Sequence, residues 1–95
     1  MNFWKNCTMT TLFHSAQVSS DWPCIVKIEG NKILVEYDDD GCVQYNGTDQ
    51  GNGHFLLKSD EVRGKASLHM FAGATLMVGN WTEGGDRGLW QIQLA

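Results

Sequence analysis

Basic residues are scarce in this chain. Seven lysines and arginines stand against eleven acids, a net charge of −4, and Lys5, Lys27, Lys32, Lys58, Arg63, Lys65 and Arg87 are scattered. A nucleic-acid partner would need a clustered cationic face to displace counterions from phosphates, so this balance argues against one. Long apolar runs are missing as well, and no stretch approaches the length required to cross a bilayer. No membrane partner is expected. The start, Met1-Asn2-Phe3-Trp4-Lys5, lacks the apolar core of a secretory signal. Cysteines are few and odd in number: Cys7, Cys24 and Cys42 have no zinc-type spacing. They read as reduced thiols, and the expected location is cytoplasmic. In that compartment the tripeptides beginning at Asn6, Asn46 and Asn80 are chance matches to a glycosylation signal. Also missing are a nucleophile elbow, a Cys–His motif and a paired-carboxylate motif. The sequence therefore assigns no catalytic residue, no metal ligand and no cofactor.

Proline occurs once, whereas glycine occurs eleven times, falling between short runs of β-branched and aromatic residues. That punctuation predicts an antiparallel meander. Ninety-five residues make one domain, residues 1–95, with a thin margin for burying a core. The expected fold is all-β, about seven to eight strands closing into a small barrel or a strongly curved sheet.

Side-chain parity tests each turn, because a slip of one residue sends every side chain to the wrong face. A two-residue Gly30-Asn31 turn sets Ile28 against Ile33 and Val26 against Val35. A three-residue Asp39-Asp40-Gly41 loop, with glycine in the left-handed position, pairs Tyr37 with Val43 and Val35 with Tyr45. The triple aspartate then reads as a solvated turn. A turn near Gly73 sets Met70 against Met77, Leu68 against Gly79 and Ala66 against Trp81. In the last hairpin, a Gly85-Asp86 turn would pair Trp81 with Trp90 and Gly79 with Ile92. The predicted core is Val26, Ile28, Ile33, Val35, Tyr37, Val43, Tyr45, Phe55, Leu57, Ala66, Leu68, Met70, Met77, Trp81, Trp90, Ile92 and Leu94.

The N-terminal part is less regular. Cys7–His14 is expected as a first strand closing against the last, followed by a loop at Ser20-Asp21-Trp22-Pro23. A weak helical periodicity between Thr11 and Ser19 is the alternative.

Three groups of residues are candidates for function. Inward-facing Tyr37, Tyr45, Trp81 and Trp90 could line a small-molecule pocket, since aromatic walls with a few polar groups suit one; simple core packing is the competing explanation. Outward-facing Leu34, Leu56, Phe71, Leu76 and Val78, with Leu89, could form an apolar interface, most simply between copies of the chain. His54, His69 and Glu83 are the acid–base or metal-binding candidates, provided they converge. The glycine-dense Gly47–Gly53 segment lacks the Lys of a phosphate loop and the ligand spacing of a calcium loop, and reads as the longest loop.

Two resemblances follow from these residues. Gly79-Asn80-Trp81 resembles the Gly-x-Trp of calycin barrels, the lipocalin and avidin-like ligand carriers, although it lies here near the end of the chain. The longer pattern is similar to small uncharacterised bacterial β-proteins, some encoded on integron gene cassettes. It is carried by Tyr37-Asp38-Asp39-Asp40-Gly41, Tyr45-x-Gly47, Gly51-x-Gly53-His54-Phe55-x-Leu57, Leu68-His69-x-Phe71, Gly79-x-Trp81-x-Glu83 and Gly88-x-Trp90-x-Ile92-x-Leu94. This resemblance implies a bacterial, cytoplasmic, homo-oligomeric protein and supplies no site residues. The leading expectation is a non-catalytic binding or self-associating module, with a small partly apolar ligand. The alternative is a small enzyme using His54, His69 or Glu83.

Overall fold

The computed structural model describes residues 2–13 and 19–95, and every regular element among them is a strand. In chain order they are β1 (Asn2–Phe13), β2 (Ser19–Glu29), β3 (Lys32–Asp38), β4 (Cys42–Asp49), β5 (His54–Ser59), β6 (Gly64–His69), β7 (Leu76–Glu83) and β8 (Asp86–Gln93). Each pairs antiparallel with the next, and β1 returns to pair with β8, so the eight strands form a closed barrel. At this strand number the interior is just wide enough for side chains to fill.

Alternation decides which side chains fill it. Val26, Val35, Tyr45, Leu68, Met77 and Ile92 are wholly buried, and Trp81 and Trp90 nearly so. Every residue of the predicted core is buried or packs, half-buried, against that cluster; Ile28, Tyr37 and Met70 are the half-buried ones. The β2–β3 and β3–β4 registers are as expected, with Val26 opposite Val35 and Val35 opposite Tyr45. Leu68 opposite Gly79 and Ala66 opposite Trp81 also hold. The β6–β7 ladder ends at His69 and Val78, so Met70 and Phe71 lie beyond it.

Four expectations need correction. The last hairpin turns at Gly84-Gly85, pairing Glu83 with Asp86, Gly79 with Trp90 and Trp81 with Gly88. Both turn glycines have positive φ, 53° and 102°, a turn with two left-handed positions that a pair of glycines adopts without strain. The slip is two residues, so faces are conserved, but each tryptophan now lies opposite a glycine rather than opposite the other. In the β3–β4 loop, Asp40 takes the left-handed conformation at φ 53°, beside Gly41 at 126°; aspartate tolerates it better than most residues. Gly47–Asp49 belong to β4, which shortens the next loop to residues 50–53. Ser20–Pro23 are part of β2, not a loop.

The strand predicted over Cys7–His14 is present through Phe13 and begins earlier, at Asn2. A bulge sits between Trp4 and Cys7, where three steps of β1 match two of β2. It reverses the alternation, so that Trp4, Cys7 and Met9 all point inward. Thr11–Phe13 and Ser19 are strand, not helix; His14 and the rest of the 14–18 segment lie outside the described residues. No helix among the described residues is long and apolar enough to cross a membrane.

Candidate functional site

Inward side chains from β3, β4, β7 and β8 converge toward the mouth at the β3–β4, β5–β6 and β7–β8 turns. β3 brings Tyr37, β4 brings Tyr45, and β7 brings Trp81 and, two residues on, Glu83; β8 contributes Trp90. The two tyrosine hydroxyls donate to the same Glu83 oxygen, Oε1, at 3.1 Å from Tyr37 and 2.5 Å from Tyr45. A carboxylate at a partly buried position must be hydrogen-bonded to be tolerated, and these donors satisfy it.

Gly64 makes the arrangement possible. It is buried, pairs with Glu83 across β6–β7, and a Cβ placed on it would overlap the Tyr45 hydroxyl. The bare glycine is the space into which that hydroxyl reaches. Burial is the largest cause raising both phenol pKa values; for Tyr37 the charge of Glu83 comes next, and for Tyr45 its hydrogen bond to Glu83.

Around this network the rings form a continuous chain. Tyr45 meets Trp90 edge-on at 4.8 Å, and Phe13 meets Trp81 edge-on at 5.1 Å. Trp81 and Trp90 stack at 6.3 Å despite their diagonal register, and Tyr37 lies 6.4 Å from Trp22. Such pairs add to the stability that simple burial provides. The indole N–H of Trp81 donates to the Leu89 carbonyl, and that of Trp22 to Ser20 Oγ.

Together these groups enclose a hollow of about 40 Å³ lined by Thr11, Phe13, Trp22, Tyr37, Asp39, Trp81, Glu83 and Trp90. Of the four aromatics picked out for a pocket, Tyr37, Trp81 and Trp90 line it, while Tyr45 stands behind and holds Glu83. Phe13 and Trp22 were not singled out as candidates. Their signal was present, since Trp22 shares parity with Cys24 and Val26, but it was obscured by reading Ser20–Pro23 as a loop.

The other candidates lie elsewhere. His54 and His69 pair across β5–β6 with ring centroids 6.3 Å apart, and His69 meets Phe71 edge-on at 4.7 Å. Glu83 pairs with Gly64, five residues along β6 from His69, a separation of roughly 17 Å at the usual strand rise. The structure thus joins the histidines and leaves Glu83 apart. No group of three or more potential metal-ligating side chains occurs among the described residues. Of the apolar outer residues, Leu34 and Leu76 are half-buried, while Leu56, Phe71, Val78 and Leu89 are exposed. Leu89 pairs with Leu12 across β1–β8, and Val78 lines the same outer hollow. Leu56 is separated from that group by the hydrogen-bonded pair Ser67 and Asn80.

The fold and site define a closed eight-stranded antiparallel barrel with an aromatic, carboxylate-bearing mouth. No family model, no curated protein and no solved structure matches the chain.

Proposed function

We propose that this protein is a non-catalytic binding module that holds part of a small molecule at the barrel mouth. One observation carries the reading: the carboxylate of Glu83, secured by two tyrosines, faces a hollow with aromatic walls. Apolar walls with a few placed polar groups are the usual make-up of a small-molecule site. Because side chains fill the middle of the barrel, the ligand inserts one end group and leaves the rest outside. The four tryptophans supply the test. Trp22, Trp81 and Trp90 line the mouth, whereas Trp4 lines a hollow with Ile28, Phe55 and Met70. A fragment library screened by the indole N–H signals of labelled protein should yield compounds that move the three mouth signals and spare Trp4. A screen in which no fragment singles out those three removes this reading.

Self-association has its own support in the Leu12–Leu89 pair, which is 43% and 55% exposed, with Val78 beside it. Exposed apolar groups in contact favour burial against a partner, here a second copy. Sedimentation of the wild type and of Leu89→Lys checks it: the wild type should associate and the variant should not. A wild type that stays monomeric at high concentration refutes it.

A further inference from the structure

We propose that the mouth recognises a primary ammonium group, the charged end of a small alkylamine. This rests on the reading of the mouth as a binding site and names the ligand's chemistry.

The hydrogen-bonding inventory points to a cation. Tyr37 and Tyr45 already donate to Glu83 Oε1, so these two hydroxyls are not free to bind an anion. Among the described residues, the remaining polar side chains lining the hollow are the carboxylates of Glu83 and Asp39 and the Thr11 hydroxyl, and none is basic. Each face of Trp or Tyr is also the negative side of a ring quadrupole, which attracts a desolvated cation. Phe13, Trp22, Tyr37, Trp81 and Trp90 supply five such rings. An anion would meet two carboxylates, and a neutral apolar group would displace water from the second Glu83 oxygen, Oε2, without replacing its hydrogen bonds.

The surroundings agree in sign. Among the described residues, the turns and adjoining strand ends here carry seven acids, Asp38, Asp39, Asp40, Asp60, Glu61, Glu83 and Asp86, against four bases, Lys58, Arg63, Lys65 and Arg87. Such a rim raises the local concentration of cations and speeds their arrival. The hollow itself does the selecting by size. Its volume of about 40 Å³ is roughly a tenth of that of the hollow around Trp4, so it takes a small end group rather than a whole ligand. A primary ammonium with its adjoining methylene is such an end group, and a quaternary ammonium is the bulkier competitor.

The test uses the full chain, labelled for indole N–H detection and titrated with butylammonium chloride at constant ionic strength. Butanol, the neutral analogue, and tetramethylammonium are run in parallel. Saturable movement of the Trp22, Trp81 and Trp90 signals with butylammonium alone is the expected result. Glu83→Gln should weaken binding by roughly tenfold or more, the scale of a lost charge-assisted hydrogen bond. If that variant fails to fold, Asp39→Asn at the rim should still show a weakening of several-fold. Equal response to butanol and butylammonium would overturn the cation assignment while leaving a binding mouth. Equal response to tetramethylammonium would overturn the choice of a primary amine. If butylammonium leaves the mouth signals unmoved while other fragments shift them, the ammonium proposal falls and the binding function stands. If no fragment shifts them, both fall.

Discussion

The two ends of this barrel are closed in different ways. At the end that holds the β2–β3, β4–β5 and β6–β7 turns, Trp4, Ile28, Phe55 and Met70 line a hollow of about 430 Å³ with Asp49 at its edge. The Asp49 carboxylate accepts from the Gly51 N–H at 2.7 Å, a local turn contact. At the other end the hollow is about tenfold smaller, and Glu83 is turned inward under the rings and held by two tyrosines. The first end is the roomier, and its polar lining residues, Asn2, Asp49 and Asn52, stand beside the apolar ones. The second carries a half-buried carboxylate that two tyrosine hydroxyls hold in place. That difference is why the proposed binding site is the end that holds Glu83.

The largest test of this contrast compares a tryptophan from each end. Trp90 is 3% exposed and touches Tyr37, Tyr45 and Trp81, so Trp90→Ala should cost about 3–5 kcal/mol. Trp4 is half-buried, and Trp4→Ala should cost less than half as much in the same denaturant titration. Equal losses would erase the distinction.

Next in size is Gly64→Ala, which forces a methyl into the space of the Tyr45 hydroxyl. Overpacking of this kind costs about 1–3 kcal/mol. Adding Tyr45→Phe removes the clashing oxygen, so the double variant should lose less than the two single losses summed. The ring carbon Cζ, 2.6 Å from the added Cβ, keeps part of the clash, so the relief should be partial; simple additivity would mean that the hydroxyl contributes none of it.

A smaller effect is expected at alkaline pH. The chain has two tyrosines, both hydrogen-bonded to Glu83 and both with pKa raised above the ordinary 10. Below pH 10 both the native and unfolded chains keep these protons and the contribution to stability is intact. Above it the unfolded chain releases them first, so stability falls as pH rises. Tyrosinate absorbance should therefore appear together with unfolding; its appearance at pH 10 in a folded barrel would refute the burial of both phenols. Tyr37→Phe should move this onset little and cost roughly 0.5–1.5 kcal/mol by thermal denaturation, because the shorter Tyr45 bond remains.

The smallest perturbation is chemical labelling. Cys42 is exposed, whereas Cys7 and Cys24 face each other in the core and burial pushes the Cys24 thiol up to about 12. A thiol reagent should modify one site in the native protein and three after unfolding, as read by mass. Rapid native modification of Cys24 would mean that the wall between the two ends opens.

Much of the barrel was legible because its strands from β2 to β8 obey strict alternation. That alternation puts Tyr37, Tyr45 and Trp90 on the inner face, and Glu83, two residues beyond Trp81, shares the parity of that tryptophan. β1 was harder to read for a definite reason: its bulge puts even-numbered Trp4 and odd-numbered Cys7 on the same side, so no single period runs through it. The two-residue slip in the last hairpin escaped notice because it conserves parity. Only the turn conformation, with positive φ at both Gly84 and Gly85, distinguishes the two registers.

The sequence by itself determined the all-β meander, its inward and outward faces and most of its core, since these follow from neighbours one and two residues away. It also placed the tryptophans and Glu83 on one side of the same hairpin. The tertiary structure decided what they meet. Glu83 lies 46 residues from Tyr37 and 38 from Tyr45, and only closure of the ring, with Gly64 leaving room, brings the three side chains together. A local period carries no information about distances across a barrel, and the mouth is built from those distances.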